Sequence, residues 1–227
     1  MAALATSLSA SFSALSLLLH PAVAPRAAHE HLLARVHAPV PVLASPGGPR
    51  LATLGATTAF GSARVLSVVR RRGHWLRVTT ADLQAGRDGW IDERAPGITM
   101  SATRVEIVIK LGARTLELRR GERVIRRFAV GIGSPSSPTP TGRFAVTDEL
   151  SGPTYSPVYG CCILALSARQ TRLPAGWTGG DRIAIHGTNV ASTIGRALST
   201  GCVHAADSDL RYLMKLVPLG TPVSIVN

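Results

Sequence analysis

The sequence predicts a mainly β protein made of two consecutive all-β units, with one main helix in the second. From Leu33 to about Gly97, short β-type runs alternate with Gly, Pro and Asp clusters, which is typical of a small barrel. From Val105 onward, apolar and polar residues alternate over longer runs, as in strands with one buried face. Only the segment after Asp207 carries a helical apolar period.

The first 32 residues are predicted to be a signal peptide or a disordered N-terminus. An Ala/Ser/Leu-rich run is followed by Ala22-Val23-Ala24, a small-x-small step of the kind that signal peptidase reads. Export of the mature protein follows from this interpretation. A misplaced start codon is the alternative, since no Lys or Arg precedes the apolar run and Pro25 is unfavourable for cleavage. No other apolar run approaches the ~20 residues of a spanning helix, so no stable membrane span is expected after processing.

Residues 33–98 are predicted to form the first β unit. The stretch "VVRRRGHWLRV" indicates a hairpin that turns at Gly73 and continues through Trp75, and "GRDGWID" indicates a further strand through Trp90. These features resemble a bacterial SH3-like domain. The resemblance implies a domain that attaches to cell-wall peptides or positions a catalytic partner. The alternative is that the two tryptophans simply fill a small core.

Residues 103–227 are predicted to form the second unit, after a linker at 96–101. Three alternating runs indicate a β-meander with a turn at Gly121. A helix is expected to begin with Asp207 or Ser208 as its N-cap and to end before Pro218. The strands of this unit are predicted at Val105–Ile109, Thr115–Leu118, Val124–Val130 and Pro222–Val226.

The chain is basic, with 25 Lys+Arg against 13 Asp+Glu and a formal net charge of +12 over 227 residues. With 45% hydrophobic and 17% charged residues, it has enough apolar surface to fold, which excludes a wholly disordered or fibrous protein. A diffuse positive field favours polyanionic surroundings. Aromatic residues are only 4% and no base-stacking motif is present, so nucleic acid is not the expected partner.

One cysteine and one histidine stand in a pattern that suits nucleophilic catalysis. A predicted strand ends at His186, directly before Gly187, and Cys202 follows Ser199-Thr200-Gly201 sixteen residues later. An unperturbed thiol has a pKa of about 8.5, so it needs a nearby base to attack at neutral pH. An imidazole in hydrogen-bond reach supplies that base and later returns the proton. A bare Cys/His pair is equally compatible with an ordinary buried cysteine.

The surrounding residues resemble the catalytic motif of the YkuD-type L,D-transpeptidases over about residues 103–227. That motif has a strand ending in His-Gly-Thr, then Ser/Thr-x-Gly-Cys-Ile/Val, a helix and a "LVPxGTPV" strand lead. The upstream "VGIGSPSSPTPTGRFAV" also fits the family's signature. The matching segments are His186-Gly187-Thr188, Ser199-Thr200-Gly201-Cys202-Val203 and residues 216–223. The resemblance implies a YkuD-type β-sandwich for this unit.

The resemblance also implies a role for each motif residue. Cys202 would be the nucleophile and His186 the base and then the acid, with the Ser199 carbonyl orienting the imidazole. The backbone N–H groups of Gly201 and Cys202 would hold the oxyanion. The chain departs from the family at Thr200, where His is usual, and at His204, where Arg or Asn is usual; the second departure bears on substrate specificity.

For substrate binding, the resemblance points to the lid and to residues beside the dyad. Tyr155 and Tyr159 lie where the family carries a lid over the cleft, although a tyrosine between prolines is as often loop packing. Cys161 and Cys162 are expected to pack as small hydrophobes. A zinc site is disfavoured because Cys-x-His lacks the usual ligand spacing, and no cofactor or metal is expected. The other predicted substrate-binding residues are Gly187, Thr188, Thr200 and His204.

The function that the resemblance implies is L,D-transpeptidation of peptidoglycan stem peptides. Cys202 would attack the amide after the third stem residue and expel D-alanine, and an amine on a neighbouring stem would resolve the thioester. An L,D-carboxypeptidase, in which water resolves the thioester, is one alternative. A non-catalytic wall-binding protein is the other, motivated by Thr200 and His204. In each case the basic surface would suit an anionic cell wall.

Overall fold

The computed structural model describes residues 30–84 and 87–227. Within these residues the fold is mainly β, with seventeen strands and two short α-helices. The predicted signal peptide lies almost wholly outside the described residues. Its expected boundary at residue 32 falls inside the first strand, which begins at His31.

The first β unit is a seven-stranded antiparallel sheet. Its strands are β1 His31–Val36, β2 Val40–Leu43, β3 Arg50–Leu54, β4 Val65–Arg72, β5 Trp75–Thr79, β6 Asp88–Asp92 and β7 Ile98–Thr103. Across the sheet their order is β3-β2-β6-β5-β4-β1-β7. One apolar core fills this unit, formed by residues such as Leu54, Leu66, Leu76 and Ile91. The two tryptophans, Trp75 and Trp90, lie half-buried outside that core. The assignment of the first β unit to the SH3-like class stays a prediction.

The predicted linker at 96–101 is largely a strand. Strand β7 pairs with β1 over its whole length, from His31 opposite Thr103 to Val36 opposite Ile98. The segment "ITMSAT" has few apolar residues, so its sequence alone does not indicate a strand. The strand is defined by backbone pairing with β1 and not by burial of its side chains. Most of the segment that was expected to join the two units therefore belongs to the first sheet.

The second unit holds an eight-stranded sheet, a small parallel pair and both helices. The sheet order is β10-β9-β8-β17-β12-β13-β14-β16, and β11 pairs with β15. The strands are β8 Val105–Lys110, β9 Thr115–Arg120, β10 Arg123–Ala129, β11 Ile132–Gly133, β12 Gly142–Ser151, β13 Cys162–Arg169, β14 Arg182–His186, β15 Ala197–Ser199, β16 Val203–His204 and β17 Pro222–Val226. The predicted meander and final strand are thus confirmed.

The main helix, α2, runs from Asp207 to Met214 and buries Leu210 and Leu213 against the sheet. Its N-cap is Ala206, without a side-chain cap hydrogen bond, so the expected Asp207 or Ser208 cap is wrong. Asp207 instead lies in the first turn, where a carboxylate is favoured by the helix dipole. A shorter helix, α1, spans Gly152–Tyr155 and leads into a 3-10 turn at Pro157–Tyr159.

Candidate active site

Two parallel strands carry or adjoin the candidate catalytic residues. β14 pairs with β16, with Ile185 opposite Val203 and His186 opposite His204. Ile183 and Ile185 are fully buried in the core of the second unit. Because side chains alternate along a strand, His186 points away from these isoleucines. The strand ends at His186 as the sequence predicted.

Cys202 stands directly before β16, beside the start of β14. Its Sγ donates a weak hydrogen bond to the backbone carbonyl of Arg182 at 3.8 Å. Burial raises the pKa of the Cys202 thiol, and a backbone hydrogen bond from Ala184 only partly opposes this. The sulfur is therefore a thiol rather than a thiolate at neutral pH.

Hydrogen bonds brace the turn that carries Cys202. Ser199 Oγ donates to the Cys202 carbonyl at 2.6 Å and accepts from the Gly201 N–H at 3.1 Å. Thr139 Oγ1 donates to the Gly201 carbonyl at 2.8 Å. Gly201 has a φ of 112°, and a Cβ there would come within 2.2 Å of Gln170 Nε2. Only glycine fits this position.

The imidazole of His186 is 4% exposed. Its Nδ1 lies 2.6 Å from the carbonyl of Gly187. Burial lowers its pKa to about 4; the Gly187 hydrogen bond opposes this and neighbouring His204 adds to it. The resemblance had implied the Ser199 carbonyl as the orienting group, but that oxygen accepts from the Ser134 N–H at 2.8 Å.

His204 forms an imidazole pair with His186. The two ring centroids are 4.7 Å apart, and His204 Nδ1 lies 3.0 Å from Thr193 Oγ1. Burial lowers the pKa of His204, so this ring is also neutral at neutral pH. On another side of His186, the ring of Tyr159 stands edge-on at 4.9 Å. His186 is thus held between two aromatic rings.

These side chains open on one cavity of about 340 Å³. Trp177 and Leu173 form an apolar part of its wall, and the Trp177 ring is fixed by a 2.7 Å hydrogen bond from Nε1 to the Gly180 carbonyl. Of the predicted site residues, the cavity is lined by His186, Cys202, Ser199, Tyr159, Thr188, Thr200 and His204.

Three predicted site residues take other positions. Tyr155 is 48% exposed, and its ring packs edge-on against Phe60 at 6.1 Å. Gly187 supplies the carbonyl beside His186, and a Cβ on it would lie 2.1 Å from Asp207 Oδ1. Gly201 lies in the braced turn behind Cys202.

Cys161 and Cys162 pack on the hydrophobic core of the second unit, as expected. They are also joined by a disulfide between adjacent residues, which the sequence did not predict. Cys161 follows the 3-10 turn at Pro157–Tyr159, and Cys162 is the first residue of β13. Of the three cysteines in the chain, Cys202 is therefore the free thiol. Within residues 30–84 and 87–227, no group of three His, Cys, Asp or Glu side chains is arranged to hold a metal ion.

Sequence reasoning missed two side chains that shape the site. Gln170 is 6% exposed, and its Nε2 donates to the Thr200 carbonyl at 3.2 Å and the Pro138 carbonyl at 3.0 Å. Arg182 presents its carbonyl to the Cys202 thiol. Neither residue stands in a recognisable pattern, because each acts on the site across strands that are distant in sequence.

The protein thus has a mainly β fold with a cysteine and a histidine in one cleft. Comparison with known proteins identifies its family. A family model described as "L,D-transpeptidase catalytic domain" (YkuD) matches residues 104–225. The putative L,D-transpeptidase YkuD of Bacillus subtilis is 31% identical over 144 residues, covering 63% of this chain and 79% of that protein. The chain belongs to the YkuD family of L,D-transpeptidases.

A second relative and one solved structure are also similar to this chain. The putative L,D-transpeptidase YkuD of Bacillus licheniformis is 32% identical over 119 residues, covering 52% of this chain and 64% of that protein. An L,D-transpeptidase structure from Mycobacterium smegmatis is 19% identical with a TM-score of 0.44, covering 83% of this chain and 100% of the other. Over the part of the chain that the structure describes, no helix is long and apolar enough to cross a membrane.

Proposed function

We propose that this protein is a peptidoglycan L,D-transpeptidase that forms a Cys202 thioester acyl-enzyme. The observation that carries the proposal is that Cys202 and His186 line one cavity in a chain of the L,D-transpeptidase family. The substrate class follows from the family and not from the cavity itself. Export to the cell wall belongs to the same proposal, because the stem peptides are found there.

The ground state is a thiol beside a neutral imidazole. A carbonyl oxygen can only accept, so the contact with Gly187 places the proton of His186 on Nδ1. Nε2 is then the unprotonated nitrogen and can accept the proton of Cys202 as the sulfur attacks. The Gly187 carbonyl thus takes the orienting role that the resemblance gave to Ser199.

In the proposed reaction, the Cys202 sulfur forms a bond to the carbonyl carbon of the third stem residue, and the amide bond from this carbon to D-alanine is the one that breaks. The tetrahedral oxyanion is held by the backbone N–H of Cys202 in this proposal, because the Gly201 N–H already donates to Ser199 Oγ at 3.1 Å. His186 then returns its proton to the leaving amine, and D-alanine departs as the thioester forms. An amine of a second stem attacks the thioester, its proton passes to His186, and the thiol is regenerated with a new cross-link.

The cavity walls supply the proposed substrate contacts. Tyr159 and Thr188 lie on one side of the dyad, and Thr200 and His204 lie next to the nucleophile. Tyr155 is proposed as a lid residue at the edge of the cleft. The first β unit, if SH3-like, would hold the enzyme on the wall and raise its local concentration there.

Intact mass spectrometry after treatment with a penem tests the nucleophile. A penem acylates a cysteine nucleophile through the same chemistry, because the sulfur attacks the β-lactam carbonyl and the opened ring stays attached as a thioester. The wild-type protein is therefore expected to gain the mass of one adduct. The Cys202→Ala variant is the matched control and should gain none. A protein that gains no mass, or a variant that gains the same mass, contradicts the assignment of Cys202.

The acceptor is tested separately with purified wall fragments. If an amine resolves the thioester, muropeptide analysis will show new dimers linked through third stem residues. Shortened tripeptides without such dimers would show that water is the acceptor and that the protein is an L,D-carboxypeptidase. If the muropeptides stay unchanged while penem acylation is normal, the stem peptide proposed here is not the substrate. The enzyme would then act on a different stem.

A further inference from the structure

A loop of the first β unit reaches the catalytic unit next to the cleft. Phe60 lies in the loop between β3 and β4, and its ring is 37% exposed. The guanidinium carbon of Arg182 lies 5.5 Å from the centre of this ring, within the range of a cation–π contact. The ring of Tyr155 meets the same phenyl group edge-on at 6.1 Å.

Arg182 connects this contact to the nucleophile. It is the first residue of β14, and its carbonyl accepts the hydrogen bond from Cys202 Sγ. Arg182 also lines the cavity. A change in the position of Arg182 therefore moves both the acceptor of the thiol and one side of the cleft.

The Arg182 side chain is held from several directions. Its Nη2 donates to Thr147 Oγ1 at 2.7 Å and to the Leu166 carbonyl at 2.9 Å. The carboxylate of Asp148, which is fully buried, lies 3.8 Å from the same nitrogen. Phe60 covers the guanidinium from the first β unit, so the aromatic ring closes a site that the catalytic unit leaves open.

The loop that presents Phe60 is itself fixed. Arg64 is 7% exposed and donates to the carbonyls of Gly55 at 2.8 Å and Thr57 at 2.7 Å. The hydroxyl of Thr58 donates to the buried carboxylate of Asp148, across the boundary between the two units. Phe60 is thus presented on a loop with hydrogen bonds on both of its sides.

We propose that Phe60 is a positioning residue for the reaction of Cys202. Its ring holds the Arg182 guanidinium and the Tyr155 side chain together, and through them it fixes the start of β14 and the edge of the lid. The first β unit would then act on catalysis through a direct contact as well as through any attachment to the wall. The inference rests on the proposed role of Cys202.

The test compares ring and non-ring substitutions in the full-length protein. Phe60→Leu keeps an apolar side chain but removes the π face, whereas Phe60→Tyr keeps the ring. Val124→Ala is the matched control, since Val124 is also 37% exposed and lies on β10, at the opposite edge of the sheet from β16. Each protein is treated with a penem and, separately, with iodoacetamide across a pH series, and adducts are followed by intact mass.

We expect Phe60→Leu to lower the rate of penem acylation by about threefold or more. This is the size of effect expected if the cation–π contact with Arg182, at a partly exposed site, is lost. Phe60→Tyr and Val124→Ala should stay close to wild type. The pH profile of iodoacetamide alkylation at Cys202 should also shift in Phe60→Leu alone. A Phe60→Leu protein that reacts as wild type, or a Phe60→Tyr protein as slow as Phe60→Leu, overturns the proposal.

Two further measurements keep the result interpretable. Urea unfolding of each variant shows whether it is folded, and Phe60→Met, closer in volume to Phe, replaces Phe60→Leu if the latter is not. If the wild type takes no penem, the proposed function fails, but alkylation still reports the environment of Cys202. A change in alkylation by Phe60→Leu then supports the positioning role, and no change overturns it.

Discussion

The protonation state of His186 follows from where its strand ends. The ring is buried between Tyr159 and His204, so solvation of the imidazolium is lost and its pKa falls to about 4. The Gly187 carbonyl favours the charged form but does not outweigh burial. His186 and Cys202 are consequently both neutral at neutral pH, and the proposed mechanism moves the proton only as the substrate is attacked.

The lowered pKa of His186 predicts a loss of stability in mild acid. As pH falls from about 6.5 to about 4, the unfolded chain takes up a proton that the folded chain does not. The free energy of unfolding should therefore fall by about 3 kcal/mol from this group over that window, and no further below it. Urea unfolding between pH 7 and pH 4 measures the slope.

The control is His186→Asn, which removes the titrating ring. His204 has a lowered pKa of the same sign, so some slope should remain in the variant. A variant curve that runs parallel to the wild-type curve through this window would show that His186 titrates at its ordinary pKa. The burial argument would then be wrong.

Adjacent cysteines show what a residue pattern cannot decide. Cys161 and Cys162 are sequence neighbours, and neighbouring side chains in a strand point to opposite faces. Cys161 lies outside β13, after Gly160 with its φ of 57°, so strand alternation does not apply to this disulfide-bonded pair. The local backbone conformation, which the sequence did not reveal, brings the two sulfurs together.

At the scale of single elements, β9 carries a buried charge in the middle of an apolar strand. Glu117 is 1% exposed, and its carboxylate accepts hydrogen bonds from Lys110, Arg119 and Arg127. Arg127 is its cross-strand partner on β10. These hydrogen bonds, led by that of Lys110, lower the pKa of Glu117 to about 2.

Glu117→Gln should destabilise the protein by about 1–3 kcal/mol at pH 7, because an amide cannot accept from all three cations. The contribution of a carboxylate with a lowered pKa is complete above about pH 4.5 and is lost as pH falls through about 2. The difference in free energy of unfolding between wild type and variant should therefore shrink over that range. Arg123→Gln, at an exposed site at the start of β10, is the control and should change little. A difference that is constant from pH 7 to pH 2 would contradict the assignment.

Strands were predicted better than the helix start. Alternation marks β8 and β17, because each has one face in the core. The start of α2 was misplaced because Asp207 turns its carboxylate toward Gly187 instead of capping the helix. Its Oδ1 is buried without a hydrogen-bond partner. This burial results from tertiary packing, which a local sequence pattern does not show.

At the scale of the whole molecule, the charge of +12 predicts electrostatic association with an anionic wall. Screening shortens the reach of surface charges from about 10 Å at 0.1 M salt to about 3 Å at 1 M. We predict that binding to insoluble peptidoglycan carrying anionic polymers falls about tenfold or more between these salt concentrations. Sedimentation of the protein with the polymer measures this.

Uncharged cellulose provides the comparison polymer for this experiment. Binding to it should be weak at every salt concentration. Wall binding that does not change with salt would show that recognition depends on a specific pocket and not on the diffuse charge. Either the cleft or the first β unit would then be the place to look for it.

Contacts between the two units were beyond sequence reasoning. Arg169 Nε donates to the Ala81 carbonyl at 2.9 Å, and Thr58 bonds to Asp148, each across about ninety residues of chain. Such pairs carry no local signal, because burial and charge compensation arise only after both units have folded. Phe60 likewise lies in a loop whose sequence carries no recognisable motif.

The sequence by itself determined the mainly β class, the β-meander of the second unit and the strand that ends at His186, because alternation and motif spacing are local properties. Tertiary structure decided which carbonyl orients His186, how Gln170 and Thr139 brace the Cys202 turn, and where Phe60 meets Arg182. These depend on the pairing of β14 with β16 and on the packing of one unit against the other. Contacts of that kind are set by strand register and burial, which no single segment of the chain encodes.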